Sequence, residues 1–253
     1  MKQLWGKYGR RGAAVILCGA LAIGAALPLS GCRSASGGTI YMATNAQFQP
    51  FEYMDKNKIV GIDVDIANQI AKDMGKKLEI DNMEFNSVVT SVETGKDDMG
   101  VAGITDTAER EKQVAFSEPY YDASQVIVVK KGSPIAGQDD LKGKTVSVQK
   151  GTTGDDLAKK LVGDKNVSRF NASADAALAV SQGKVDAFII DSFPAQMFVK
   201  QYSGLTIVGQ PLESDKYCIA VKKGNTALLQ QINKTIEKLQ SSGELEKIVK
   251  KYS

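Results

Sequence analysis

Arg110 closes the stretch VAGITDTAER (residues 101–110). Val101 to Ile104 is small and apolar, as at the end of a buried strand. Thr105, Asp106 and Thr107 then set two hydroxyls around a carboxylate. A guanidinium placed there has two readings. It is a solvated helix charge paired with Glu109 or Glu111, or it is aimed at an anion from outside, because its planar fork matches a carboxylate bidentately. A second polar break is KGTTGDD, residues 150–156. Gly151, Thr152 and Thr153 stand where a strand gives way to a helix. Free N–H groups at a helix start attract anions, although a hydroxyl there also serves as a plain N-cap. The third break is Asp191, directly after the apolar run AFII. The fourth is NAQFQPF, residues 45–51.

These breaks need rigid elements to hold them. Strands are predicted at 39–44, 77–81, 101–104, 125–130, 145–149, 185–190 and 217–221, from short apolar or β-branched runs bounded by turn residues. Helices are predicted between them. Val64, Ala67, Ile70, Ala71 and Met74 repeat at helical spacing, with Gly75 placed to end the run. Asn86 or Ser87 can cap a short helix through Glu93, ended by Gly95. Further helices are expected from the KGTTGDD break to Val162, and over 175–182, 192–200, 226–242 and 244–251. Strands alternating with helices argue for an α/β fold with mostly parallel sheets. In such sheets ligands bind beyond the carboxyl ends of the strands. The four polar breaks fall at such ends, two in each half of the chain, as expected of two lobes sharing one cleft.

The N-terminus is of another kind. Lys2, Lys7, Arg10 and Arg11 precede an apolar or small run from Ala13 to Leu29, then LSGC. A basic segment, an apolar segment and small residues before a cut site describe an export signal. Leu29-Ser30-Gly31-Cys32 also resembles the bacterial lipobox, which implies cleavage before Cys32 and lipid on its thiol. Residues 32–38 then form a flexible Ser/Gly tether. The chain of 253 residues has 32 basic and 29 acidic side chains, net +3. Four of the basic residues and none of the acidic ones lie in the first 32. The remainder therefore carries 28 against 29, or −1, with no basic face for a nucleic acid. Histidine is absent, which removes Ser-His-Asp and Cys-His catalysis and makes a zinc site unexpected. Of three cysteines, Cys18 lies in the signal and Cys32 is the lipid site. Cys218 is alone in an apolar strand pattern and reads as a packed residue.

Four segments together are similar to a known family. PFEYMDKNKIVGIDVDIANQIAKDMG, GITDTAEREKQVAFSEPYY, LKGKTVSVQKGTTG and GKVDAFIID resemble the extracytoplasmic polar amino-acid-binding proteins of ABC importers, solute-binding protein family 3. The resemblance runs from about Thr39 to Tyr252. It implies a two-lobed periplasmic-binding-protein fold, each lobe a mostly parallel sheet flanked by helices, with two crossover hinge segments. Residues 39–124 with 219–253 would form lobe 1 and 125–218 lobe 2, behind a signal peptide at 1–31. An amino acid would be trapped as the lobes close. By the same resemblance Arg110 takes its α-carboxylate, Thr105 contacts carboxylate and ammonium, and the Gly103 backbone approaches the ligand. Gly151, Thr152 and Thr153 would present backbone N–H groups. Asp191 would take the ammonium, against the plainer reading of an N-cap. Phe48 and Phe85 match positions that sandwich the ligand side chain, against core packing.

Asn45 and Gln149 are the expected partners of the ligand's far end. Both are neutral, with no surplus carboxylate and no second arginine, so a neutral polar amino acid such as glutamine or cystine is expected. The alternative is a basic amino acid (arginine, lysine or histidine), which stacked aromatics can hold. Two further readings are a cyclohexadienyl or arogenate dehydratase-like enzyme and a ligand sensor on the same fold. No acid–base pair or activated nucleophile stands at the cleft positions, and no P-loop is present. The expected partners are therefore a free amino acid, a permease with its separate ATPase subunit, and the membrane through lipid on Cys32. No cofactor, metal or nucleic acid is expected, and the chain is expected to be an exported monomer on the outer face of the cytoplasmic membrane or in the periplasm.

Overall fold

The apolar runs predicted as strands between Thr39 and Val221 become strands with buried side chains. The computed structural model describes residues 38–253. The signal segment 1–31, Cys18, Cys32 and the tether up to residue 37 lie outside the described residues. The first strand, β1 (Thr39–Thr44), buries Ile40, Met42 and Ala43. It is followed by β2 (Gln47–Phe48), β3 (Glu52–Asp55) and β4 (Lys58–Val60), which make a small antiparallel sheet of their own in the order β2-β3-β4. Next come α1 (Ile62–Asp73), β5 (Lys77–Asn82), α2 (Phe85–Thr94), β6 (Met99–Thr105), β7 (Val114–Phe116) and β8 (Tyr121–Lys130). The chain continues through β9 (Val146–Gln149), α3 (Thr153–Val162), β10 (Val167–Phe170), α4 (Ser173–Ser181), β11 (Ala187–Asp191) and α5 (Ser192–Gln201). It ends with β12 (Leu205–Lys222), α6 (Thr226–Ser241) and α7 (Glu244–Lys251).

The large sheet runs β10-β9-β11-β8-β12-β6-β1-β5, with β7 paired to β12. Its two ends are parallel: β1 with β5 and β6, and β9 with β10 and β11. In the middle β8 and β12 are antiparallel to each other and to β11 and β6. The two parallel halves are thus joined by the two strands that cross between them. The expected lobe boundaries, after residues 124 and 218, fall inside this ribbon rather than in loops. Ser124 faces Ser214, and Tyr121 faces Tyr217.

Local details differ from the expectation where tertiary pairing decides them. The helix α2 starts at Phe85, not after a cap at Asn86 or Ser87. Glu84 is its N-cap and makes no side-chain capping bond, because its carboxylate accepts from Asn171 Nδ2 at 2.8 Å. Gly95 ends it in the left-handed region, as expected. β12 begins twelve residues earlier than its apolar run. The segment 205–216, with Gly209, Pro211 and three charged residues, is extended because it pairs with β8, with a register shift between Val208 and Glu213. The short strands β2, β3, β4, β7 and β10 were not anticipated. Cys218 is buried and unpaired, and burial pushes its thiol up to about 12.

Candidate functional site

Three strands end at one place. β6 stops at Thr105, β9 at Gln149 and β11 at Asp191, two of them from one parallel half of the sheet and one from the other. Between these ends lies a small, tightly closed cavity. Phe48, Phe85, Gly103, Thr105 and Arg110 line one side, and Gln149, Thr152, Thr153 and Asp191 the other. Ala102, which carried no expectation, completes the lining. Asn45 and Gly151 do not line it, although both touch residues that do.

Arg110 turns inward. It opens a 3-10 turn over Arg110–Lys112, and its Nη1 donates to the Thr105 carbonyl at 2.8 Å. Its Nη2 donates to the Gly151 carbonyl at 3.1 Å, on the opposite half of the sheet. The guanidinium carbon lies 5.4 Å from the centre of the Phe85 ring. Burial lowers the Arg110 pKa, opposed by the charges of Asp156, Asp215, Asp191 and Glu109. An arginine remains protonated under such a shift. Pairing with a helix-surface glutamate is therefore not what this side chain does.

Asp191 faces it from the other half. It is the N-cap of α5, yet its carboxylate makes no capping bond. Its Oδ1 is buried and has no hydrogen-bond partner among the described residues. Burial, reinforced by the charge of Asp215, pushes its pKa up to about 7 against the lowering effect of the neighbouring Tyr217 and Gln125 side chains. A buried carboxylate with one oxygen lacking a donor carries a desolvation cost that an incoming cation can remove.

The other residues show how the site is braced. Thr152 is the N-cap of α3, its Oγ1 accepting from Asp155 N and donating to the Gln149 carbonyl. Thr153 Oγ1 donates to Asp215 Oδ2 at 3.0 Å, and Gln125 Nε2 donates to both Asp215 and Thr153. Gln149 is fully used. Its Nε2 donates to Asn45 Oδ1 at 2.9 Å and to the Asn171 carbonyl, and its Oε1 accepts from Ser173. Asn45 Nδ2 donates to the Met83 carbonyl. The Asn45 and Gln149 amides thus bridge the two halves at the cavity's edge. Phe48 and Phe85 are both lining and core. Phe48 packs on Phe51 and Tyr217 at 5.8 and 6.4 Å, and Phe85 joins Val88, Ile104 and Ala220.

Gly103 has φ +55, and a Cβ there would stand 2.9 Å from Phe48 Cε1 and 3.3 Å from the Tyr217 ring. A Gly103→Ala variant therefore meets left-handed strain of roughly 1–2 kcal/mol and pushes the Phe48 ring. Its melting temperature should fall by roughly 2–8 °C for a chain of this size, as read by thermal unfolding. An unchanged melting temperature would show that this backbone is not constrained.

Sequence reasoning missed Asp215, Gln125 and Tyr217. Asp215 sits in a charged stretch that reads as surface, yet it is buried beside the cavity. Gln125 and Tyr217 open their predicted strands, and nothing local marks their side chains as part of a site.

A family model described as bacterial extracellular solute-binding proteins, family 3, matches residues 40–253. The arginine-binding extracellular protein ArtP of Bacillus subtilis (strain 168) is 36% identical over 236 residues, covering 88% of this chain and 92% of its own length. Among solved structures, the arginine-bound form of truncated ArgBP from T. maritima is 45% identical, with a TM-score of 0.77. The match covers 80% of this chain and 96% of that one. An ancestral arginine-binding protein bound to glutamine is 42% identical at a TM-score of 0.80, covering 85% and 97%.

Proposed function

The chain belongs to the bacterial extracellular solute-binding proteins of family 3, and on that premise we propose that it captures a free L-amino acid for an ABC importer. The observation that carries this reading is the buried Asp191 carboxylate, its Oδ1 without a hydrogen-bond partner among the described residues, set across a small cavity from the Arg110 guanidinium. Those two charges complement a zwitterion. Arg110 holds the α-carboxylate and Asp191 the α-ammonium, with Thr105, Thr152 and Thr153 bordering the charged end. Gly103 supplies backbone there, Gly151 braces Arg110 through its carbonyl while its amide donates to Asp155, and Phe48 and Phe85 flank the ligand side chain. Asn45 and Gln149 close the far edge. The β8/β12 ribbon is the hinge. Residues 39–124 with 219–253 move on one side of it, and 125–218 on the other. The role is binding and delivery without a reaction, by a monomer anchored outside the cytoplasmic membrane through lipid on Cys32.

Two ligand classes follow. A neutral polar amino acid, glutamine or cystine, meets no charge at the far edge, where Asn45 and Gln149 are neutral and hydrogen-bonded within the protein. A basic one is favoured by a specific observation: Asp215 stands behind Asp191, giving two carboxylates to one guanidinium, and two aromatic rings line the cavity. Relatives named for glutamine and for cystine support the first class, and the more numerous relatives named for arginine support the second. Calorimetry of the purified, ligand-stripped protein against the twenty amino acids and cystine decides between them. Glutamine or cystine heats support the first class, and arginine, lysine or histidine heats the second. No heat from any amino acid would overturn the proposal.

The same titrations should depend on pH. The ammonium binds the ionised Asp191, so the complex holds fewer protons than the empty protein. Affinity should be full above about pH 7, the empty-state pKa. It should weaken below that pH, toward tenfold per unit. A flat profile from pH 5 to 8 would remove Asp191 from contact with the ammonium.

A further inference from the structure

Behind the Gly103 wall of the cavity lie two acidic side chains that the reading above does not use. Asp63 is in the first turn of α1, inside the GIDVD segment, and Glu52 opens β3. Both are 0% exposed. Asp63 Oδ2 accepts from the Gly103 amide at 2.9 Å, and Oδ1 accepts from the Tyr120 hydroxyl at 2.9 Å. Glu52 is register-paired with Phe48. Neither Glu52 carboxyl oxygen meets a donor among the described residues, and the carboxyl lies within hydrogen-bonding reach of Asp63.

The chain is built to bring these acids together. Ile62 N and Asp63 N donate to the carbonyls of Pro50 and Phe51. Gly61, with φ +135, approaches so closely that a Cβ would stand 2.1 Å from the Phe51 carbonyl oxygen. The start of α1 is thus clamped to the turn between Phe48 and Glu52. Two touching carboxylates out of water cannot both ionise. One proton shared between them lets Glu52 donate to Asp63 and satisfies both. Burial and the neighbouring acid raise Glu52 well above the usual carboxylate range, and burial raises Asp63 to about 6. The other titratable groups facing the pair are Tyr120, Tyr217 on β12 and Asp191 on β11, none of them cationic at neutral pH.

We infer that Asp63 is a positioning residue of the amino-acid site. Through the Gly103 amide it fixes the end of β6, and through a protonated Glu52 it fixes the strand that carries Phe48. Two walls of the cavity are then referred to one buried carboxylate. This inference rests on the amino-acid reading of the site.

The test compares Asp63→Asn and Glu52→Gln in the intact protein. Glutamine at 52 keeps a neutral donor toward Asp63. Asparagine at 63 can accept one bond but not both. With L-arginine and L-glutamine as titrants, the Asp63→Asn variant should bind at least tenfold more weakly, and the Glu52→Gln variant within threefold of the parent. In the empty, isotope-labelled protein, the Gly103 amide proton should move upfield in the Asp63→Asn variant, because a charge-assisted acceptor is lost. Parental affinity in Asp63→Asn, equal weakening by both variants, or an unmoved Gly103 resonance would each overturn the inference. If the parent bound neither titrant, the amino-acid reading would be in question, and the Gly103 resonance alone would decide the positioning role. A variant that does not fold leaves the decision to Glu52→Gln, whose loss of affinity would count against the shared proton.

Discussion

Asp191→Asn is expected to weaken amino-acid binding roughly 30-fold or more while raising the melting temperature of the empty protein. The two effects have one cause. Asp191 is 9% exposed, and its Oδ1 has no partner among the described residues. Its carboxylate is held ready for a cation at the expense of the fold. Asparagine keeps the shape and removes the charge, so the contact with an ammonium loses its electrostatic part, of about 2–5 kcal/mol for a buried charged pair. The sign of the stability effect follows from the pKa. The folded-state value of about 7 lies above the ordinary aspartate value of 3.8, so the folded protein binds the proton more tightly than the unfolded chain. Asp191 therefore costs nothing below pH 4. Its penalty grows as pH rises and is complete above pH 7, where three pKa units correspond to an upper figure of about 4 kcal/mol. Thermal unfolding at pH 8 should show the variant several degrees more stable, and at pH 4 the gain should vanish. A lower melting temperature at pH 8, or unchanged affinity, would refute this account.

Arg110→Ala should cost about 2–5 kcal/mol of binding, read by calorimetry with whichever amino acid the parent binds. The guanidinium holds the Thr105 and Gly151 carbonyls and lies against Phe85. Its loss removes the positive pole of the cavity and leaves Asp191 and Asp215 unopposed. Arg110→Lys should recover only part of the loss, because an ammonium cannot serve two carbonyls and a carboxylate in one plane. The assignment is sharpened by a decarboxylated analogue of the same amino acid. If Arg110 meets the α-carboxylate, the parent and Arg110→Ala should bind that analogue with similar affinity, which closes a double-mutant cycle. Binding of the complete amino acid within threefold of the parent would remove Arg110 from the site.

The bridges between the halves explain why both residues were hard to weigh in isolation. Arg110 reaches Gly151, Gln149 reaches Asn45, and Asn171 reaches Glu84. Each pair joins residues more than forty positions apart. Asn45 was expected to meet a ligand, yet its amide is occupied by Met83 and Gln149. A side chain's type states what it can bond, and only the fold states whether that capacity is already used.

What the sequence determined by itself was periodic and local. Short apolar runs set strands that end at Ile104, Gln149 and Ile190, within one residue of the observed ends, and helical spacing set the elements between them. Those signals are local because backbone hydrogen bonding and burial repeat with fixed periods. Four motifs in order placed the chain in its family, and the absence of histidine narrowed the chemistry. What only the tertiary structure decided concerns charge and pairing. Residues 205–216 are a strand because β8 lies beside them. Glu52, Asp63 and Asp215 are buried although acids ordinarily stay in water, because partners distant in sequence, or one shared proton, offset the desolvation. Asp191 is the reverse case, a carboxylate buried with its Oδ1 left without a donor among the described residues. Burial depends on every element packed around a residue, so no window of sequence contains it.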